Sequence, residues 1–513
     1  MPTLLTRWSN AMRRSQMVVP LLTVTVAGCS LAPTYVRPTL DVPDGFKEAI
    51  SQQTAAQQTA TPETAPPESA GTWKVAQPAE QTPRGEWWKI FNDPALDDLE
   101  QQAGDANQDL RSAAARVKES RALNQTVSSQ RFPTIGAGFG PTLERQSPAS
   151  QFLSDDQDVS RQTLWRAQAT ASYEVDLFGR VSDSVQASNA NTAHSEALFR
   201  SVRLALQADV AQNYFRLREL DAEISVYHDT VRLREQALDL VEHRYKEGDI
   251  SELDVARARA ELATARSDEM TVERLRAASE HALAVLLGKA PAAFSVQANP
   301  LTPLSIDVPP GLPSSLLERR PDIAAAEYAM QAANARIGVA KSAYFPSLLL
   351  TGTAGFESAT IGDLFNWSTR AFLLGPLVGT ALTVPLFDGG RRKGNLDNAR
   401  AAYEESVSTY RQQVLVAFRE VEDSLADLRI LKVQTGTQAQ AVQASTRAAQ
   451  LSSTQYSDGA INYLDVIDSQ RTVLRAQLAQ VQLSGMQIMS TVQLIRALGG
   501  GWGDSTAISQ APQ

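Results

Sequence analysis

Residues able to do covalent or acid–base chemistry are sparse in this chain. Its 513 residues include one Cys and four His. No HExxH or Cys-His cluster sets imidazoles and thiolates at metal-binding spacing. No nucleophile–base pairing is recognisable. Gly136-Ala137-Gly138-Phe139-Gly140 is a glycine pattern, but it lies in a segment of strand period rather than between a strand and a helix. It reads as a small-residue face, not a phosphate cradle. No enzyme, metal or cofactor is expected. The carboxylates that draw notice are Asp254 and Asp465. Each follows a Gly-containing turn, where the dipole of a starting helix would stabilise a negative charge.

The single Cys has a different chemistry. Arg7, Arg13 and Arg14 precede the short apolar run Met17–Val26, which Pro20 interrupts, and Val26-Ala27-Gly28 lead directly into Cys29. A basic segment, a short apolar core and small residues before a cysteine resemble a bacterial lipoprotein signal. Cleavage before Cys29 and acylation of that residue are implied, with covalent lipid in place of any cofactor. Ser30, rather than Asp, favours sorting to the outer membrane. Removing residues 1–28 takes away three Arg and no acid.

Composition narrows the rest. The chain is 43% hydrophobic and carries 48 Lys and Arg against 57 Asp and Glu, a net charge of −9. It has enough apolar residues for a core, and its acidity argues against a nucleic-acid partner. No run of 18 apolar residues occurs, so no helix is expected to span a bilayer. Residues 38–84 are rich in Pro, Thr, Gln, Ala and Glu, a composition that cannot bury enough to offset its ordering entropy and reads as a tether.

The elements that follow are written twice. Tyr245, Gly248, Asp254 and Leu287 recur as Tyr456, Gly459, Asp465 and Leu498, each 211 residues on. Asp109 with Phe132-Pro133 recurs as Asp322 with Phe345-Pro346, 213 on. Such a duplication leaves each copy in need of the other, or of another subunit, to bury its faces.

Within each copy the period changes. Around 164–177 apolar and polar residues alternate: Trp165, Ala167, Ala169, Ala171, Tyr173, Val175 and Leu177 against Arg166, Gln168, Thr170, Ser172, Glu174 and Asp176. The spacing predicts a strand long enough to cross a bilayer when tilted, paired with Thr134–Thr142. Ser347–Glu357 and Phe372–Leu386 are the expected second pair, with a mixed pattern around Leu373–Val378. A soluble hairpin with one buried face would alternate likewise; strand length and the lipid signal favour the membrane. Past Arg180 the period is helical. Leu206, Val210, Tyr214, Leu217, Leu220, Ile224, Tyr227, Val231, Leu238, Val241 and Tyr245 form a stripe that only Arg234 interrupts. The step is the coiled-coil value, and residues 181–245 as one helix would run about 95 Å. Turns at Gly248 and Gly459 send the chain back as helical hairpins from near Ser251 and Asn462.

Together these stretches resemble the TolC/OprM outer-membrane efflux proteins, specifically the lipoprotein (NodT-like) branch. The matching residues are Cys29-Ser30 with Tyr35-Val36-Arg37-Pro38, Glu318-Arg319-Arg320-Pro321-Asp322-Ile323, Phe345-Pro346-Ser347-Leu348, Leu386-Phe387-Asp388-Gly389-Gly390 and Tyr456…Gly459…Tyr463-Leu464-Asp465-Val466. The resemblance implies a mixed α and β fold: a trimeric outer-membrane β-barrel, four strands per chain, continuous with a long periplasmic α-helical barrel and a small mixed equatorial belt. The expected division is signal 1–28, tether 29–85, first repeat 86–290 with hairpins 132–178 and 181–288, equatorial connection 291–320, second repeat 321–500 with hairpins 345–387 and 391–499, and tail 501–513. The resemblance also implies a passive exit duct of a tripartite pump for drugs or other small toxic compounds, joined by a periplasmic adaptor and an inner-membrane RND-type pump. Tyr456, Asp465 and Asp468 match positions that constrict the closed pore. Gly248, Asp249, Gly459 and Ala460 are implied adaptor contacts. Ile461 stands where some members carry an Arg that ties the helices shut, so the closing contact must differ here. Type I protein secretion through the same duct, and a lipid-anchored periplasmic scaffold without a pore, are the competing readings.

Overall fold

A computed structural model describes residues 30–39, 45–48, 86–152, 154, 159–302, 306, 319–374 and 382–500. After a 3₁₀ turn at Trp87–Phe91 come α1 (Pro94–Ala106) and α2 (Gln108–Ser128), then strands β1 (Thr134–Glu144) and β2 (Gln162–Val175). A helical hairpin of α3 (Arg180–Glu247) and α4 (Glu252–Leu286) completes the first copy. The second repeats the order: α5 (Pro321–Ser342), β3 (Ser347–Ser358), β4 (Arg370–Leu374), β5 (Leu382–Thr383), then α6 (Arg391–Ser457) and α7 (Tyr463–Ala497). The hairpin arms are 68 and 35 residues long in one copy and 67 and 35 in the other. No described helix is long and apolar enough to cross a membrane.

Each long helix starts at a carboxylate that caps it. Asp176 accepts the Val181 and Ser182 N–H groups at 3.0 and 2.7 Å. Asp388 accepts those of Gly390 and Arg392, each at 3.1 Å. The otherwise orphaned N–H groups of the first turn are thereby satisfied, and the strand turns into a helix. This explains why β2 ends at Val175 and not at the expected Leu177: Asp176 is needed as the cap.

The sheet is antiparallel in the order β1-β2-β3-β4, with β5 also on β3. The expected fourth strand, Phe372–Leu386, needs correction. It occurs as Arg370–Leu374 and Leu382–Thr383, in registers four residues apart: Gly352 faces Leu374, whereas Leu348 faces Leu382. Val384–Leu386 lie outside any strand. Pro385 has no N–H to give a ladder, and a mixed pattern does not fix a register. Residues 375–381 lie outside the described residues.

Two compact units cut across the two copies. One holds Ser120–Thr192 and Ala329–Ser406 with the N-terminal residues up to Arg37, and contains the sheet. The other holds Pro38–Glu119, Ala193–Tyr328 and Val407–Gln513, and is helical. In the helical unit Trp87, Trp88 and Phe91 pack with Leu96, Val210, Tyr214, Phe215, Leu283, Val421 and Ile488. Asp93 accepts the Tyr214 hydroxyl at 2.7 Å and an Arg218 N–H at 3.1 Å, which ties the start of α1 to α3.

The Arg-Pro-Asp-Ile stretch acts as a rivet in this unit. The buried Arg320 guanidinium donates to both Asp322 oxygens at 3.0 and 2.6 Å, to Glu420 at 2.6 Å and to the Ala497 carbonyl at 3.0 Å. Burial pushes the Asp322 carboxyl up, but hydrogen bonds from Arg320 and the guanidinium charge outweigh it, and its pKa falls below the ordinary value. A charge held by a fork-shaped partner on both oxygens is the buried arrangement that survives desolvation.

Candidate functional site

The sheet separates two surfaces. Opposed pairs Ile135–Ala171, Ala137–Ala169 and Phe139–Ala167 continue into Ala167–Phe356, Tyr173–Leu350 and Val175–Leu348, and then into Ala354–Phe372. Because the strand period is two, these side chains share one face. Its large apolar groups are uncovered: Phe139 is 64% exposed and Phe372 80%. An apolar patch of this extent demands a non-aqueous neighbour. The opposite face carries Thr134, Gly136, Gly138 and Gly140 beside Ser172, Thr170, Gln168 and Arg166, then Thr351, Thr353, Gly355 and Glu357. That face suits water.

The hairpin tips are the second candidate. Gly248 and Gly459 have φ of +86° and +74°. Their N–H groups bond Tyr245 and Tyr456 carbonyls at 3.0 Å, and the next N–H groups, of Asp249 and Ala460, reach Arg244 and Gln455 carbonyls at 3.0 and 2.8 Å. This closes each helix on a left-handed residue that glycine adopts without strain. Gly248, Asp249, Gly459 and Ala460 are all exposed. Val241, Val255, Ala258, Tyr456, Tyr463, Val466 and Ile467 form a small core between the hairpins, with Ile461 packed against it. Arg244 lies 5.0 Å from the Tyr456 ring centroid and donates to the Tyr456 carbonyl at 3.3 Å. Burial raises the Tyr456 hydroxyl pKa against the opposing charge of Arg244, and pushes that of Tyr463 up to about 12.

The candidate gate residues therefore fall into two groups. Tyr456 lies inside the tip core, whereas Asp465 and Asp468 are exposed on α7. Asp465 sits in the first turn, and Asp468 lies 3.5 Å from Arg471 on the same helix. Arg471 continues to Glu261 of α4, and Glu261 lies 3.2 Å from the buried Arg234 of α3. Arg234 also donates to the Glu261 carbonyl at 2.6 Å. A chain of charges thus joins three helices behind the tip. Sequence reasoning missed this network, although Arg234 signalled it by breaking an apolar stripe.

Cys29 lies outside the described residues. Ser30, which follows it, donates its hydroxyl to Asp183 at 2.6 Å, and Asn334 donates to the Pro33 carbonyl at 2.8 Å. A Cβ on Gly338 would collide with Asp183 Oδ2 and lie 2.8 Å from the Ala32 methyl, so a glycine there lets both Asp183 and the strap approach α5. Burial raises the Asp183 pKa and the Ser30 hydrogen bond opposes it.

The family model "Outer membrane efflux protein" matches residues 99–289 and 312–500, one match for each copy. The chain belongs to the outer membrane efflux protein family. It is similar to the cation efflux system protein CusC of Escherichia coli, 32% identical over 93% of this chain and 97% of that one. It is equally similar to outer membrane protein OprJ of Pseudomonas aeruginosa, 32% identical over 95% of this chain and 96% of the relative. Among solved structures, a membrane protein from Pseudomonas aeruginosa superposes with a TM-score of 0.79 at 31% identity, covering 92% of this chain and all of the other. This outer membrane efflux protein has the expected mixed α and β fold of those channels and is the outer-membrane channel component of a tripartite efflux pump. It resides in the outer membrane with a large periplasmic helical portion. The family is one of transporters rather than enzymes.

Proposed function

We propose that three copies of this efflux protein close one barrel of about twelve strands and work as a passive exit duct. One observation carries this reading: adjacent antiparallel strands with an apolar and a polar face, whose outer strands β1 and β4 have no further strand paired to them among the described residues. Lipid tolerates no open sheet edge, because each unpaired N–H and C=O there would cost several kcal/mol. Pooling sheets removes the edges and turns the Thr, Gly and Gln face onto a water-filled lumen.

In this reading Cys29 carries the lipid, and the Ser30–Pro33 strap holds it against the strand-bearing unit. Gly248, Asp249, Gly459 and Ala460 meet the helical hairpin of a periplasmic adaptor, which links the duct to an inner-membrane RND-type pump. The cargo is small toxic compounds. Relatives of similar identity are named for cation efflux and for toluene efflux, so selection belongs to the pump and not to the duct. Tyr456, Asp465 and Asp468 close the periplasmic end. The Arg234–Glu261–Arg471 chain holds α7 against α3 and α4 in the place of the missing Arg at Ile461. Planar-bilayer recording tests the duct and its gate together. The wild type should conduct weakly when closed, and Asp465→Ala with Asp468→Ala should raise the closed-state conductance. A wild type that never conducts defeats the duct, and an unchanged closed state in the variant defeats the gate.

A further inference from the structure

At the hairpin-turn end of the sheet, three neighbouring strands place three charges side by side. Arg166 of β2 donates from Nη2 to Glu144 of β1 at 2.8 Å and from Nε to Glu357 of β3 at 2.9 Å. Glu357 is directly opposite Arg166 in the ladder, and so is Gly140 on the other side. From there the guanidinium reaches along the ladder to Glu144, four residues beyond Gly140 on β1. The three side chains are between 20% and 29% exposed, so water reaches them.

The rest of the polar face is electrically quiet. Among the described strand residues of that face, the remaining charge is Glu174, near the end where the strands meet the helices. Glu174 is neutralised by a two-pronged contact from Arg180 at 2.6 and 2.7 Å. Between the two ends stand Thr, Ser, Gln, Gly, Ala and Leu. The net charge of the wall therefore concentrates in the Glu144–Arg166–Glu357 triad, at −1 per chain.

We propose that this triad sets the ion preference of the channel's external mouth, favouring small cations over anions. The proposal rests on the trimeric duct reading, in which three triads ring the lumen. Arg166 has two effects. It holds both carboxylates on the wall and keeps them from repelling each other, while leaving one uncompensated negative charge. A low-dielectric wall focuses that field into the water column.

The test is the reversal potential of the full-length channel in a potassium chloride gradient, with two variants of opposite sign. Glu144→Gln with Glu357→Gln changes the triad from −1 to +1, and Arg166→Gln changes it to −2. The first should lower the potassium-to-chloride permeability ratio at least about twofold, the factor that one elementary charge roughly 10 Å away in water produces before screening. The second should raise it. Glu357→Gln alone keeps the Glu144 contact and should fall between the wild type and the double variant, which guards against a fold defect. The tip carboxylates are the same throughout and contribute a constant background. Conducting variants with an unchanged reversal potential, or shifts of the same sign in both, overturn the proposal. Absence of conductance in the wild type would instead overturn the duct itself.

Discussion

The two hairpin tips turn on the same backbone and carry different side chains. Gly248 and Gly459 take nearly the same φ, and the carbonyls that receive their neighbours' N–H groups are equivalent. Ser251 and Asn462 start the returning helices with matching dihedrals. Yet Tyr245 is 43% exposed whereas its counterpart Tyr456 is 8% exposed, in tilted contact with the Tyr463 ring and beside Arg244. The buried Arg234–Glu261 pair of the first copy is matched at a spacing of 211 by Ser445 and Thr472. Duplication thus preserved what the backbone requires, while the charges that join the hairpins, Glu261 of the first and Arg471 of the second, are not repeated in the other copy.

The sharpest way to break the comparison is Glu261→Gln. It leaves the buried Arg234 without its counter-charge, which should cost about 3–5 kcal/mol of local stability. Hydrogen exchange at the tips of α3 and α7 should accelerate accordingly, and Thr472→Val at the matching position should change stability by less than about 0.5 kcal/mol. Equal effects at the two positions would abolish the asymmetry.

A second contrast lies at the paired aspartates that open α2 and α5. Asp322→Asn removes the carboxylate from Arg320 and should cost about 3 kcal/mol, whereas the exposed Asp109→Asn should be nearly silent. The sign of the pH dependence follows from the lowered Asp322 pKa. Its contribution is fully present above the unfolded carboxyl value near 4 and is lost as pH falls through the folded value. The gap between wild type and Asp322→Asn in thermal unfolding should hold from pH 7 to 5 and close below about pH 4.

Smaller and symmetric effects are expected where the copies agree. Gly248→Ala and Gly459→Ala each place a side chain at positive φ, at a cost of about 1–2 kcal/mol. No heavy atom outside the turn lies within 4 Å of either added Cβ, so the cost is conformational and should be alike in chemical denaturation. A much larger loss at one glycine would show that the tips differ in backbone as well as in charge.

Much of the architecture was legible because it is periodic. The strict alternation in 164–177 determined which residues of β2 share a face, and the ladder to β1 and β3 keeps them there. The helix stripes and the Gly turns marked the hairpins. What escaped was aperiodic. Arg234 could be seen as a break in a stripe, but its partner Glu261 lies 27 residues away and the Arg471 that also holds Glu261 lies 210 residues beyond that, a network no local pattern encodes. The fourth strand was overextended because Pro385 and a mixed apolar run give no register. Only the family resemblance separated Tyr456 from Tyr245; the local motif is shared, and what differs is the packing around each.

Closure of one barrel by several chains is the claim on which the duct, its gate and its external charge ring all depend. Native mass spectrometry of the full-length lipoprotein in detergent measures it directly. Three chains per particle is the predicted result; a stable single chain retaining its full sheet content would contradict it.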